Sequence, residues 1–191
     1  MKTDFDRTMD RLFGKGKTGD FKMLLLLLAI GVLVRASIGL GTFSGQSNLP
    51  AIAREKNAAA YGDFECHRLW IEITTNLNST IWYEDTEYNN KTYWPMDYPP
   101  LCAFFHYHVG SLVKLVTPEA FVLGESYGHT SPEMIFMMRV WVIIAEFSVF
   151  VPSLLFLINT MFGHHGNKTI LIIFFAVFMS GPVLYADHGS F

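Results

Sequence analysis

The sequence predicts an all-α integral membrane protein, and three observations lead there. Of its 191 residues, 51% are hydrophobic and only 16% are charged, where soluble domains carry about 25% charge. Three stretches are long and apolar enough to cross a bilayer, which takes about 20 residues of helix. Lysine and arginine are also distributed unevenly between the segments those stretches separate.

The first apolar segment, 23–40, contains the run Leu24 to Leu28 and a single charge, Arg35. A signal peptide is the competing reading. Against it stand the 22 residues that precede the segment, the interruption by Arg35 and the lack of a small-x-small cleavage site. The second segment, 138–162, encloses Glu146, and the third covers 169–186. A weaker stretch, 101–116, carries His106, His108 and Lys114 and ends at Thr117-Pro118. Its mixed face suits an amphipathic helix at the membrane interface. Were it to span instead, every later segment would reverse.

Charge sets the orientation. Residues 1–22 hold six Lys/Arg, whereas residues 41–100 hold four Lys/Arg against eight Asp/Glu, and 119–136 hold three Glu with no Lys or Arg. The positive-inside rule then gives a cytosolic tail, 1–22, and a luminal loop, 41–137, with juxtamembrane helices. Residues 163–168 form a short cytosolic loop, and 187–191 return to the luminal side. Two sequons in the luminal loop, at Asn78 and Asn90, are expected glycosylation sites; a third match at Asn167 is expected to stay unmodified. The net charge of −3 excludes a basic nucleic-acid binder. Two cysteines, Cys66 and Cys102, read as free thiols or as one luminal bridge. Glu146, inside a span, needs a partner, and a helix–helix hydrogen bond supplies one.

The chemistry concentrates in the luminal loop. After Gly62 the pattern turns helical, with Trp70, Ile73 and Leu77 at 3/4 spacing. Asp63 stands where an N-cap belongs. Asp63 and His67 share one face, and Glu65 and Arg68 share another. The loop closes in Trp94-Pro95-Met96-Asp97-Tyr98-Pro99-Pro100, where Asp97 is expected to cap the next helix at a rigid corner.

These motifs resemble, in order, those of the asparagine-linked glycosylation glucosyltransferases. The matching elements are Gly62-Asp63-Phe64-Glu65 with His67-Arg68, Trp70 and Glu72-Ile73-Thr74; Trp82-Tyr83; and Tyr93-Trp94 with Asp97-Tyr98-Pro99-Pro100-Leu101. They continue with Glu125-Ser126 leading to Phe136-Met137-Met138-Arg139, then Ala186-Asp187-His188-Gly189. Val34-Arg35 fits as well. Ser190 departs from the family's His, and the chain stops inside that last signature, so an N-terminal part of a GT-C type multi-span glycosyltransferase is expected.

The resemblance implies an endoplasmic reticulum membrane enzyme that takes glucose from dolichyl-phosphate-glucose and gives it to a dolichol-linked oligosaccharide by inverting transfer. Gly62, the Glu72-Ile73-Thr74 ending and Gly189 look more like the enzyme adding the first glucose than the one adding the second; His67 points the other way. A non-catalytic membrane relative is the reading from a different class. Family matching places the general base at Asp63, with Glu65 as its rival. His67, Arg68 and Arg139 are candidates for phosphate or acceptor contacts. Asp187 and His188 would help build the site. Asp97 is counted with the substrate-binding residues, though more as a corner than as a reacting acid. Arg35 either snorkels to the interface or meets the dolichyl phosphate. No metal or cofactor is implied, and no protein partner is indicated.

Overall fold

The computed structural model describes residues 4–41, 62–181 and 183–184, and among these all regular structure is helical. The chain divides into two compact units: Met1–Gly41 with Val142–His188, and Thr42–Trp141 with Gly189–Phe191.

In the first unit, α1 (Asp4–Phe13) meets α2 (Gly16–Gly39) at a glycine corner. Gly14 and Gly16 have φ of +92° and +69°, left-handed values that favour glycine. A methyl group at Gly19 would overlap the Gly14 carbonyl, so the corner is tightly closed. α2 starts well ahead of the apolar segment at Met23, because Gly16–Lys22 continues the helix. It buries one stripe, Gly19, Met23, Leu27, Gly31, Arg35 and Gly39, each four residues from the next. Leu25, Leu26, Ile30 and Leu33 stay exposed. A core helix of a soluble protein would bury those leucines; a lipid-facing one leaves them outward.

The second long apolar helix runs continuously over Pro132–Phe162. It comprises α5 (Pro132–Ala145), a π-helical turn at Glu146–Phe150 and α6 (Val151–Phe162). It starts before the expected residue 138, since Ser131 Oγ accepts from the Met134 N–H and Pro132 fits the first turn. The π turn precedes Pro152, which has no N–H to continue an α ladder. α7 (Asn167–Phe178) packs on α6 through Leu154, Ile158, Ile170, Phe174 and Phe178. It ends at Phe178, short of the expected residue 186, with Met179 as its C-cap; after a break at Met179 and Ser180 the described residues 181 and 183–184 are helical again. Against α2, α7 comes so close that a methyl at Gly31 would overlap the Phe178 ring. Small residues allow such approach between apolar helices.

The second unit is organised on α3 (Gly62–Asn76), buried along most of its length. α4 (Pro100–Val113) lies against it, closest at Gly110, where a methyl would overlap Ile71. With 14 residues α4 is about 21 Å long, short of the roughly 30 Å hydrocarbon core. Leu101, Phe104, Phe105 and Leu112 on it are exposed. One core joins Phe64, Ile71, Val113, Phe121, Met134 and Met138. A second joins Leu69, Trp70, Ile73, Trp82, Met96 and Ala103, with Leu77 against it. The Trp70/Ile73/Leu77 stripe is therefore a packing face. Asn89 ties the loop between α3 and α4, donating to the Trp82 and Glu84 carbonyls and accepting from the Met96 N–H. Asp97 does not cap α4: Pro99 occupies the N-cap position with no side-chain bond to the helix. Pro100 at the start of the helix removes one of the donors a cap would satisfy.

Candidate functional site

α3 sorts its polar residues onto two faces. Gly62 opens it with φ +64°, so Asp63 lies inside the first turn, not ahead of it as a cap. There its carboxylate still favours the helix N-terminus. Asp63 is exposed and His67 half-buried, four residues along. Glu65, Arg68 and Glu72, at 3/4 spacing, point the other way and have no exposed surface.

That inner face is a closed network. Arg68 forks onto Glu65, Nε to Oε2 at 2.7 Å and Nη2 to Oε1 at 2.8 Å. Its Nη1 donates to Glu72 Oε2 at 2.5 Å, to the Ala120 carbonyl and to Ser126 Oγ. Glu72 also accepts from the Gly124 N–H and from Ser126 Oγ, and Tyr93 donates its hydroxyl to Glu65. Burial alone would lower the Arg68 guanidinium; Glu65 and then Glu72 reverse this and hold it above its ordinary range. Two site expectations are thereby corrected. Glu65 is not placed to act as a base, since its oxygens hold Arg68 and Tyr93 away from any surface. Arg68 is not placed to meet a phosphate, because its donors are spent inside. Both join Glu72 and Ser126 in fixing the α3 backbone.

The outer face carries a histidine pair. His67 Nδ1 lies 2.7 Å from His106 Nε2, and His106 Nδ1 lies 2.8 Å from the Cys102 carbonyl. A carbonyl only accepts, so His106 Nδ1 bears the hydrogen and Nε2 receives the His67 Nδ1–H. The two rings lie edge to edge and nearly parallel, their centroids 5.0 Å apart, and Trp70 meets each edge-on at 5.3 Å. Tyr98 covers Trp70 at 4.8 Å, and Tyr83 donates to the Tyr98 carbonyl. Burial first, then the neighbouring His106, pushes His67 down to about 3, so the imidazole is neutral at physiological pH. His106 is lowered as well, by burial against the opposing pull of the Cys102 carbonyl.

Asp63 and Asp97, both exposed, flank this corner. Each lies near enough to Cys66 for its charge to add to burial in raising that thiol, which reaches about 12. Cys66 and Cys102 are free, and a thiol so far above neutrality is a packing group. The corner thus presents two carboxylates, a neutral imidazole and the exposed rings of Tyr83 and Tyr98, a combination suited to hydroxyl-rich, uncharged ligands. Spacing arguments missed His106, Trp70 and Tyr98 as members. Only the Trp70 stripe and the His106 interruption of an apolar run signalled them.

Arg35 is corrected too. It neither snorkels nor faces a lipid phosphate, being fully buried in the first unit. Nε and Nη2 each donate to Glu146 at 2.5 Å, Nη2 donates also to the Phe178 carbonyl at 2.8 Å, and the guanidinium lies 3.7 Å from the centre of the Phe178 ring. Glu146 makes the helix–helix hydrogen bond expected of it. A membrane arginine costs roughly 2.5–3.5 kcal/mol to insert unpaired, and this carboxylate offsets that. Arg139 is half-buried on α5. Asp187 and His188 lie outside the described residues. Asn78 and Asn90 are exposed, and each Oδ1 accepts from both the backbone N–H and the hydroxyl of its sequon threonine. Among the described residues no three His, Cys, Asp or Glu side chains are arranged to hold a metal.

Two helices long and apolar enough to cross a membrane, beside a helical unit that exposes acids and aromatic rings, are the features of a membrane protein. The chain belongs to the ALG6, ALG8 glycosyltransferase family, whose model matches residues 23–191. It is 33% identical over 180 residues to a probable dolichyl pyrophosphate Man9GlcNAc2 alpha-1,3-glucosyltransferase of Arabidopsis thaliana, covering 93% of this chain and 32% of the relative. A Dictyostelium discoideum protein of the same name is 31% identical over 172 residues, covering 90% and 32%. The Saccharomyces cerevisiae dolichyl pyrophosphate Man9GlcNAc2 alpha-1,3-glucosyltransferase is 32% identical over 171 residues, covering 87% and 29%. The chain spans about a third of the length of these curated relatives. Family and apolar helices together mark it as a protein of the endoplasmic reticulum membrane.

Proposed function

We propose that the protein of which this chain is part transfers glucose from dolichyl-phosphate-glucose to the glucose-free high-mannose lipid-linked oligosaccharide, forming an alpha-1,3 linkage with inversion. The reading rests on one observation above others: of the two rival carboxylates, Asp63 is exposed and Glu65 is sealed against Arg68. Asp63 takes the proton of the acceptor mannose hydroxyl as its oxygen bonds to the glucose carbon and the carbon–phosphate-oxygen bond breaks. The electron pair leaves on the dolichyl phosphate. His67, neutral, orients a hydroxyl, and Asp97 with Tyr98 shapes the acceptor side. Arg139 supplies donors to the leaving phosphate, and the reaction as read requires no metal. The relatives' name, which specifies Man9GlcNAc2, supports the first glucose over the second.

The same reading takes the fold as GT-C type and multi-pass, with a cytosolic N-terminus and α3 and α4 on the luminal side. Labelled dolichyl-phosphate-glucose is offered to microsomes carrying the full-length protein, with either the glucose-free or the monoglucosylated acceptor. Transfer to the glucose-free acceptor that disappears in Asp63→Asn, with protein level unchanged, is the expected result. Activity retained in Asp63→Asn would remove the base from Asp63. Transfer only to the monoglucosylated acceptor would move the protein to the second-glucose reaction.

A further inference from the structure

The N-terminal helix has a role that the glucosyl-transfer reading leaves unused. α1 carries three aspartates and two arginines among four apolar residues, and the fold separates them. Asp10 accepts from Lys168 Nζ at 2.6 Å; Asp20, at the start of α2, meets the same Nζ at 3.1 Å and accepts from Asn167 at 2.8 Å. Asp6 lines the same cavity, of about 440 Å³, beside Gly166. Met9 and Phe13 pack inward against Met23, Leu27 and Leu171. Asp6, Asp10 and Asp20 and half of the apolar residues of α1 are thus turned toward the protein.

What remains outside is mostly cationic. Arg7, Arg11, Lys15, Lys17 and Lys22 are all exposed, and Asp4, held by Arg7 at 3.1 Å, is the exposed carboxylate among the described residues of this segment. Among the described residues, Arg11, Lys15, Lys17 and Lys22 pair with no carboxylate. Beside these cations Leu12 is 68% exposed and Phe21 is 59% exposed, with Phe5 on the same outward side as Leu12. The glycine corner at Gly14, Gly16 and Gly19 fixes how this face departs from the membrane-length α2.

We infer that α1 lies in the plane of the membrane surface and that it and the glycine corner bind anionic phospholipid headgroups, through Arg11 on the helix and Lys15 and Lys17 at the corner, with Phe5 and Leu12 dipping into the acyl boundary. An in-plane helix needs an apolar side and a cationic side adjoining it, and cations near an anionic leaflet are each attracted to it. With Asp10 and Asp20 held by Lys168 and Asp4 paired with Arg7, the exposed side of the segment carries a net excess of cations. The inference uses the membrane placement of α2 and is independent of glucose transfer, so its failure leaves the activity assay untouched.

The test places an environment-sensitive fluorophore on Leu12→Cys, and separately on His164→Cys in the nearby exposed turn, in the full-length protein with its other reactive thiols replaced. The labelled protein is put into nanodiscs of phosphatidylcholine alone or mixed with phosphatidylserine. Expected are a blue-shifted Leu12 probe, quenched by shallow nitroxide lipids, more strongly with phosphatidylserine, and an unquenched His164 probe. Combining Arg11→Glu, Lys15→Glu and Lys17→Glu should abolish the phosphatidylserine increment while the glucosyl-transfer rate stays unchanged. An aqueous spectrum at Leu12 in both lipids would overturn the inference. So would protection from lipid and water-soluble quenchers alike, which means a protein surface covers the helix, and so would quenching indifferent to phosphatidylserine and to charge reversal.

Discussion

Replacing Arg68 by methionine separates a structural residue from a substrate-binding one. The substitution keeps a long apolar stem but removes the cation between two carboxylates whose side chains are 0% and 1% exposed. Breaking a buried ion pair from one side costs about 3–5 kcal/mol, because the partner is left charged and dry. Here two partners are stranded, so the single variant should reach at least that range. At roughly 2–4 °C per kcal/mol for chains of this size, the melting temperature falls on the order of 10 °C. Adding Glu65→Met and Glu72→Gln should restore most of it. In Glu72→Gln the amide oxygen can still accept from the Gly124 N–H, as Oε1 does now, while the amide NH2 takes the Oε2 position and can donate to Ser126 Oγ, whose hydroxyl keeps the Val122 carbonyl as acceptor; no buried charge remains. Thermal melts of the purified protein in detergent, run beside the transfer assay, decide it. An Arg68→Met protein that melts like wild type but shows a raised KM for the lipid donor would refute the network argument and return Arg68 to the substrate.

The Arg35–Glu146 pair makes a parallel case inside the membrane: Glu146→Gln should lower stability by about 3–5 kcal/mol, and Arg35→Met with Glu146→Leu should recover it in the same melts. Because His67 is held near 3 when folded against an ordinary 6.5, the unfolded chain takes up its proton first. Stability should therefore be flat above about pH 6.5 and fall as pH drops from there toward 3, by up to about 1.4 kcal/mol per pH unit for this group. His67→Gln should remove that part of the slope in melts compared between pH 7 and 4. In a cell with N-glycosylation, Asn78→Gln and Asn90→Gln should each remove one mobility shift on a gel, whereas Asn167→Gln should change nothing. A glycan at Asn167 would reverse the topology.

Membrane character was legible because it depends on runs. Leu24 to Leu28, and the apolar stretch ahead of Phe162, impose helices whatever their neighbours do. Contacts between distant segments were not legible. Three-residue spacing put Glu65 and Arg68 on one face, but only the packing of 120–126 showed that face to be sealed, which turned two candidates for chemistry into scaffold. His67 was placed beside Asp63 by its spacing, while its bond to His106 joins residues on two different helices and leaves no local trace. Asp97 looked like a cap because aspartate before a helix usually is one; Pro99-Pro100 made a cap unnecessary. Arg35 and Glu146 stand in different apolar segments, 111 positions apart, so no local pattern joins them.

That last pairing has a consequence for how the protein is made. Arg35 and Glu146 are 111 positions apart, and at about 5–20 residues per second the ribosome needs roughly 5–20 s to cover that distance. For that interval the arginine has entered, or is entering, the membrane without its counter-charge. Until the second helix arrives, the first carries the full insertion cost of its arginine against the gain of its apolar residues. Its proper depth is reached as a late event of synthesis, and a ribosome that stalls before residue 146 would leave behind a cation that nothing neutralises.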